Sequence, residues 1–273
     1  MTRVLSIAGS DSCGGAGLQA DLKTFAAFGV DGATVVTAVT AQNTAGIRAI
    51  RTMSAAMVRA QMDAVFEEQA IDAVKLGMLA NADIAATVAR QLERRRPPFV
   101  VLDPVLLATS GAPLLQAAAV DLLRTRLLPL AGCLTPNLAE AAVLLNAPQA
   151  TDEAAMARQG RALLALGPRS VLMKGGHAAL PEAVDLLVTP QGVQRFAAPW
   201  VATARLHGTG CMLAAGIAAA LAKTCPLHHA VDRSRRHLRQ VLLHRAFPRP
   251  SAPDTMIRAS NARPPPLPPG GTP

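Results

Sequence analysis

The run Met212-Leu213-Ala214-Ala215-Gly216-Ile217-Ala218-Ala219-Ala220-Leu221-Ala222 holds only small and aliphatic side chains. A helix that is apolar on every face has to be enclosed by other elements, so the chain must build a body large enough to surround it. The run falls far short of the ~20 residues of a membrane span, and no other apolar run comes closer. Immediately before it stands His207-Gly208-Thr209-Gly210-Cys211. A glycine-bracketed turn entering a helix points free backbone N–H groups at one spot, and the helix dipole adds to them, which makes an anion site. Cys211 falls in the first helical turn, where a thiolate is stabilised and its pKa is expected to fall.

The 273 residues suffice for one large α/β domain. Aromatic residues make up only 3% and there is no Tyr, so the core is expected to consist of Ala, Leu and Val in helices packed on a parallel sheet. The cysteines Cys13, Cys133, Cys211 and Cys225 form no C-x-x-C pair, which speaks against a zinc site or a disulfide framework. No secretory signal is read at the start, and a cytoplasmic enzyme is the expected class. The net charge of +9 is concentrated after Lys223, so it does not argue for nucleic-acid binding by the folded part.

Strand and helix patterns alternate along the chain. Arg3–Ile7 reads as a buried strand, followed by the glycine-rich loop 8–17 and a helix over Leu18–Phe28. A strand over Ala33–Val39 leads into a polar loop, 40–46. Ser54 caps a helix reaching about Ala70. Ala73–Met78 is a strand, Asp83–Arg95 a helix, and Phe99–Pro104 a strand ending in a carboxylate. Further helices are expected near Val120–Leu128, from Asn137, over Asp152–Leu166 and over about His228–Arg245, with strands at Cys133–Thr135 and Ser170–Met173 and a hairpin at Val184–Phe196. This order predicts a doubly wound, mostly parallel sheet in one domain over residues 1–246. From Phe247 the composition changes. Nine of the 21 prolines lie between Pro248 and Pro273, which predicts a disordered or polyproline-like tail over 247–273.

In open α/β sheets ligands bind beyond the carboxyl ends of the strands. The reading puts Asp21, Gln42, Met78, Asp103, Asn137, Glu140 and Lys174 at or near that edge, with Asn137 and Glu140 on one helical face. Two carboxylates, a lysine and an anion-binding helix terminus suit phosphoryl transfer. Mg²⁺ takes oxygen ligands, lysine neutralises phosphate oxygens, and the helix N-terminus holds the moving group.

Seven segments resemble one family. They are Ile7–Asp21, with its Gly9-Ser10-Asp11-Ser12-Cys13-Gly14-Gly15-Ala16-Gly17 loop, and Thr37–Thr44, Val74–Leu79, Leu102–Val105, Leu134–Glu140, Lys174–His177 and His207–Cys211. Together they resemble the hydroxymethylpyrimidine and phosphomethylpyrimidine kinases of thiamin biosynthesis, over about residues 3 to 245. The resemblance implies a three-layer α/β/α ribokinase-like fold with a central, mostly parallel sheet. It implies a kinase that uses ATP and Mg²⁺ on 4-amino-5-hydroxymethyl-2-methylpyrimidine and on its monophosphate. Asp21 and Gln42 would then hold the pyrimidine, with Met78 and Val105 packing near it. Asp103 and Glu140 would hold the metal. Gly208, Gly210, Lys174 and Cys211 would be catalytic, with Cys211 as the base. Asn137, Thr209 and Arg235 would meet the nucleotide. Small molecules are the expected partners of a homodimer, with no nucleic acid and no membrane. The chain departs from the family pattern in three places: Met212 replaces Ser or Thr, Arg235 replaces a Lys, and the proline-rich tail replaces a Gly- and His-rich segment.

Three other functions compete. A pyridoxal or pyridoxine kinase would share fold and chemistry. Gln42 favours an aminopyrimidine over it, because an amide pairs with a ring nitrogen and its amino neighbour. A cysteine hydrolase would use Cys211 with His207, and a non-catalytic pyrimidine-binding protein would need neither.

Overall fold

The computed structural model describes residues 1–43, 46–106, 117–176, 181–201 and 207–246. The expected tail, 247–273, and the loop ends at Thr44 and His177 lie outside the described residues.

Nine strands form one sheet: β1 Arg3–Asp11, β2 Asp31–Asn43, β3 Gly46–Thr52, β4 Ala73–Leu76, β5 Phe99–Leu102, β6 Cys133–Leu134, β7 Val171–Lys174, β8 Ala183–Thr189 and β9 Gly192–Ala198. Their spatial order is β3-β2-β1-β4-β5-β6-β7-β8-β9. The strands from β2 to β7 run parallel, and β3, β8 and β9 are antiparallel additions at the two edges. Parallel strands are buried on both faces, which is why β4 and β5 read as continuous apolar runs.

The alternation of side chains sorts the sheet into two cores. Leu5, Ile7, Val74, Leu76, Val100, Leu102, Val171 and Met173 face one layer of helices, which includes α2 Ala55–Glu68, α3 Ala82–Arg95, α5 Leu138–Leu145 and α6 Glu153–Leu164. Val4, Ala73, Val101, Cys133 and Leu172 face the other layer: α1 Gly17–Ala27, α7 Thr209–Ala222 and α8 Leu227–Ala246. The fold is the three-layer α/β/α arrangement. Every residue of α7 from Met212 to Ala222 is buried, as its composition predicts. Gly216 lets α8 approach closely, since a Cβ there would lie 2.8 Å from Ser234 Oγ.

Three expectations differ from the structure. Residues 8–11, expected in the glycine-rich loop, continue β1 as far as Asp11 and pair with β2. The stretch 40–43 is not loop. β2 runs on to Asn43 and pairs with β3, an edge strand with no counterpart in the sequence reading. β3 is mostly exposed, so it carries no apolar alternation to detect. The helix near Val120–Leu128 is α4 Ala117–Leu122. It loosens into a π-turn at Leu123–Leu127 and tightens into a 3-10 turn at Leu128–Leu130, where Pro129 cannot continue an α-helix.

Candidate active site

The site is assembled where α1 and α7 begin, over the carboxyl ends of β1, β4, β5 and β7. Gly208 caps α7 in the left-handed region, with φ of 85°. A Cβ at that position would stand 2.0 Å from the Gly15 carbonyl oxygen. Only glycine lets the α7 turn lie against the glycine-rich loop that leads into α1. The first intrahelical bond comes from the Met212 N–H to the Gly208 carbonyl, so the N–H groups of Thr209, Gly210 and Cys211 belong to the unpaired first turn.

Facing this turn is a charged cluster. Lys174 ends β7 and points to the α7 layer, because it alternates with Leu172. Its Nζ lies 2.7 Å from Asp103 Oδ1 and 3.8 Å from Glu140 Oε2. Thr135 Oγ1 also donates to Asp103 Oδ1, at 3.2 Å. Gly210 packs on the pair, with its Cβ position 3.1 Å from Lys174 Nζ and 3.6 Å from Asp103 Oδ2. Gly208, Thr209, Gly210, Cys211, Lys174, Asp103 and Glu140 are thus brought together as expected, although 108 positions separate Asp103 from Cys211 in the chain.

The details correct several expectations. Asp103 and Glu140 do not form an open carboxylate pair: the ammonium of Lys174 lies between them, and the described residues contain no cluster of three metal-binding side chains. Glu140 is buried and closes a capping box with Asn137, its Oε2 accepting the Asn137 N–H at 2.7 Å while Asn137 Oδ1 accepts the Glu140 N–H at 2.8 Å. Asn137 Oδ1 therefore serves the helix end rather than standing free for a nucleotide. Burial pushes the Glu140 carboxyl up to about 7, with Lys174 opposing it and Asp103 reinforcing it.

Cys211 sits at N3 of α7. The expected lowering of the thiol is overturned: burial pushes it up to about 11. Lys75 and the Gly17 N–H pull the other way, but Asp21 and Asp103 add to the rise. A helix terminus does not outweigh desolvation beside two carboxylates.

Asp21 is sealed rather than open to a ring. Its Oδ2 accepts from Ser6 Oγ at 2.6 Å and from Lys75 Nζ at 2.8 Å, and both Asp21 and Lys75 are fully buried. Burial raises the Asp21 carboxyl in spite of Lys75. Arg235 is also committed elsewhere. Its guanidinium pairs with Asp185, donates to the Ala183 carbonyl at 3.2 Å and lies over the Phe196 ring. Asp185 in turn accepts the Gly175 N–H at 3.0 Å, so Arg235 braces the chain just after Lys174.

Met78 and Gln42 line the other side of the opening. The Met78 methyl lies 2.8 Å from the Cβ position of Gly9, in β1. Val105 is half-buried beside Asp103, with its N–H on the Asp103 carbonyl at 2.9 Å. Gln42 Nε2 is 3.0 Å from His207 Nε2. Two residues of this region escape sequence reasoning. Asp11 accepts the N–H groups of Cys13, Gly15 and Ala16 and stands 3.4 Å from His207, and Lys75 reads from sequence as an ordinary strand residue.

Comparison with known proteins agrees with this geometry. The family model described as Phosphomethylpyrimidine kinase matches residues 11–249. A hydroxymethylpyrimidine/phosphomethylpyrimidine kinase from Salmonella typhimurium is 53% identical over 215 residues, which is 79% of this chain and 81% of that protein. The crystal structure of a phosphomethylpyrimidine kinase from Clostridium difficile superposes with a TM-score of 0.79 at 38% identity, covering 89% of this chain and 100% of its own. An ADP complex of Bacillus subtilis pyridoxal kinase gives a TM-score of 0.80 at 32% identity, over 86% of this chain and 89% of that one. With the open first turn of α7 set against a lysine–carboxylate cluster on a ribokinase-like sheet, and with these matches across most of its length, the chain belongs to the phosphomethylpyrimidine kinase family.

Proposed function

We propose that this chain transfers the γ-phosphoryl group of ATP to the hydroxymethyl oxygen of 4-amino-5-hydroxymethyl-2-methylpyrimidine, and a second one to the resulting monophosphate, in thiamin biosynthesis. The observation that carries the reading is the contact of Gly210 with both Lys174 and Asp103 at the head of α7. The unpaired N–H groups of the α7 turn bind the transferring phosphoryl group, and Lys174 neutralises charge on its oxygens. Phosphoryl transfer passes through a loose transition state, so positioning and charge do most of the work. Cys211, raised by burial to about 11, takes the proton of the alcohol only in its minor thiolate form as the new P–O bond forms.

The donor set fits Mg²⁺ held largely by water. Asp103 Oδ1 is taken by Lys174 and Thr135, whereas Oδ2 faces Gly210 at the α7 terminus. Mg²⁺ keeps several waters and binds through one or two carboxylates plus phosphate oxygens, so Asp103, with Glu140 behind it, would hold it. When bound, it neutralises the charge that develops on the phosphates.

The pyridoxal kinase reading rests on the likeness to the Bacillus subtilis enzyme. The hydrolase reading has a structural obstacle, since His207 is turned to Gln42 and Asp11, with no bond to Cys211 among the described residues. ADP release measured with the pyrimidine alcohol, its monophosphate and pyridoxal as acceptors tests the proposal. Release is expected with the two pyrimidines. Release with pyridoxal alone would overturn it.

A further inference from the structure

The glycine-rich loop after β1 leads straight into α1, and by composition it could serve as a second cradle for phosphate. Its donors are already spent. Four consecutive backbone N–H groups turn onto Asp11, the last residue of β1. The Cys13 N–H donates to Oδ1 at 2.9 Å, the Gly14 N–H to the Asp11 carbonyl at 3.0 Å, and those of Gly15 and Ala16 to Oδ2 at 2.9 and 2.8 Å. Successive N–H groups that converge in this way form an anion-binding concavity, and here the anion is the chain's own carboxylate. Burial raises the Asp11 carboxyl, but the hydrogen bonds it accepts, those of Ala16 and Cys13 among them, more than offset this and leave it below its ordinary value.

Asp11 is itself tied down. Its backbone N–H donates to Gln19 Oε1 at 2.8 Å, and Gln19 Nε2 donates to Ser10 Oγ at 2.8 Å, which joins the end of β1 to the first turn of α1. The loop that Asp11 fixes is the surface on which the α7 turn rests. A Cβ on Gly208 would stand 2.0 Å from the Gly15 carbonyl oxygen and 2.8 Å from the Ala16 Cα. The His207 ring packs on Gly15 as well, with Cδ2 3.4 Å from the Gly15 Cβ position, and its Nε2 lies 3.4 Å from Asp11 Oδ2. Gly15 and Ala16, whose N–H groups Oδ2 holds, are thus the two residues that seat the head of α7. Asp11 has no bond to Lys174, Asp103 or Cys211 among the described residues, so its route to the phosphoryl site is this seat.

We propose that Asp11 is a positioning residue, an internal anion that closes the glycine-rich loop to phosphate and sets that loop as the seat of the α7 turn, so that the transferring phosphoryl group is bound at the turn and not by the loop. The inference rests on the pyrimidine kinase reading and deepens it. Without the carboxylate, three N–H groups lose their partner, the loop relaxes toward other acceptors, and the seat shifts. A shift of about 1 Å in groups that hold a reacting centre costs about 10² in rate. One turn serves both transfers, so both should suffer alike. Loss of a base that only the alcohol needs would not have that signature.

The test measures kcat for 4-amino-5-hydroxymethyl-2-methylpyrimidine and for its monophosphate, and the Kd of the pyrimidine alcohol by calorimetry without ATP, in the intact chain and in two variants. Asp11→Ala should lower both kcat values about a hundredfold and by the same factor, with the Kd within about threefold of its starting value. Asp11→Asn keeps the shape and one acceptor oxygen. It should lose about tenfold in both kcat values, and it carries the test if the alanine variant does not fold. A loss confined to the alcohol overturns the inference. So does a Kd that weakens in step with kcat, which would mark Asp11 as merely structural. If the unaltered protein phosphorylates both pyrimidines and the variants match it, the inference falls and the kinase reading stands. If the unaltered protein phosphorylates neither, both fall.

Discussion

Lys75 Nζ and Asp21 Oδ2 lie 2.8 Å apart, and neither side chain has any exposed surface. Lys75 alternates with Ala73 on the α1 and α7 side of β4, so it reaches up between the first turns of those helices. Asp21 Oδ1 finds no partner among the described residues, and the pair bears electrostatically on Cys211 and Asp103. Breaking such a pair leaves one charge uncompensated, which costs about 3–5 kcal/mol, whereas removing both charges costs much less. Lys75→Met should therefore lower the urea midpoint steeply, and adding Asp21→Asn should recover a large part of the loss. A double variant as unstable as the sum of the two singles would contradict this.

Glu140 makes stability depend on pH. Its folded pKa of about 7 lies above its ordinary value of 4.5, so the folded state binds the proton more tightly than the unfolded state does. The associated stabilisation is complete below about 4.5 and is lost as pH rises through about 7. The span corresponds to about 3 kcal/mol between pH 4 and pH 8. Glu140→Gln, which stays neutral, should flatten that part of the stability curve in Mg²⁺-free buffer. Equal slopes for the two proteins in urea titrations across this range would refute the assignment.

As the proposed base, Cys211 serves only one of the two transfers. The alcohol must lose a proton, but a phosphate monoester, with its second pKa near 6, is already ionised at pH 7.5. Cys211→Ala should lower kcat for the pyrimidine alcohol, by up to roughly 10²–10⁴ as the pH rises toward that of the thiolate. The effect on the monophosphate should be far smaller. Steady-state kinetics with both acceptors decide the matter, and equal losses on the two would make Cys211 a packing residue.

The thiol held near 11 also decides how fast Cys211 reacts. Thiolate is the reactive form, so Cys211 should be slow near neutral pH and should speed up as the pH climbs. Burial likewise holds Cys133 up at about 11, whereas Cys13 is exposed. Peptide mass spectrometry after brief iodoacetamide treatment at pH 7.5 should find Cys13 labelled before Cys211. The opposite order would restore the low thiol pKa.

Gly208→Ala should be far more damaging than a methyl group suggests. The residue would need positive φ and a Cβ 2.0 Å from the Gly15 oxygen, so the α7 turn must move away from the glycine loop. Loss of at least about 10² in kcat/KM for ATP is the expected result, since a misplacement of about 1 Å costs that much. A near-normal value would mean that the turn does not hold the phosphoryl group.

Much of this arrangement is legible in the residues alone. The all-apolar stretch from Met212 to Ala222 requires enclosure, and α7 is enclosed. The strand ends at Asp103 and Lys174 announce the cluster they form, because α/β sheets bring those ends to one edge. What the residues cannot announce is how a side chain is used once it arrives. Asp103 and Glu140 suit a metal by type, and Lys174 lies between them. A lysine in a strand is usually a surface residue, so the burial of Lys75 follows only from its facing α1 and α7. Asp11 and His207 meet across 196 positions, through a loop whose path is set by glycines rather than by a pattern. β3 escapes because an exposed edge strand needs no apolar face.

The central claim is the consecutive phosphorylation of one aminopyrimidine at one site. Phosphorus NMR of a reaction holding the protein, Mg²⁺, ATP and the pyrimidine monophosphate tests it most directly. Two coupled signals of a new diphosphate ester should grow as the monophosphate signal and the γ-phosphate of ATP decline together. A spectrum in which ATP persists, or in which inorganic phosphate is the only new species, would contradict the account.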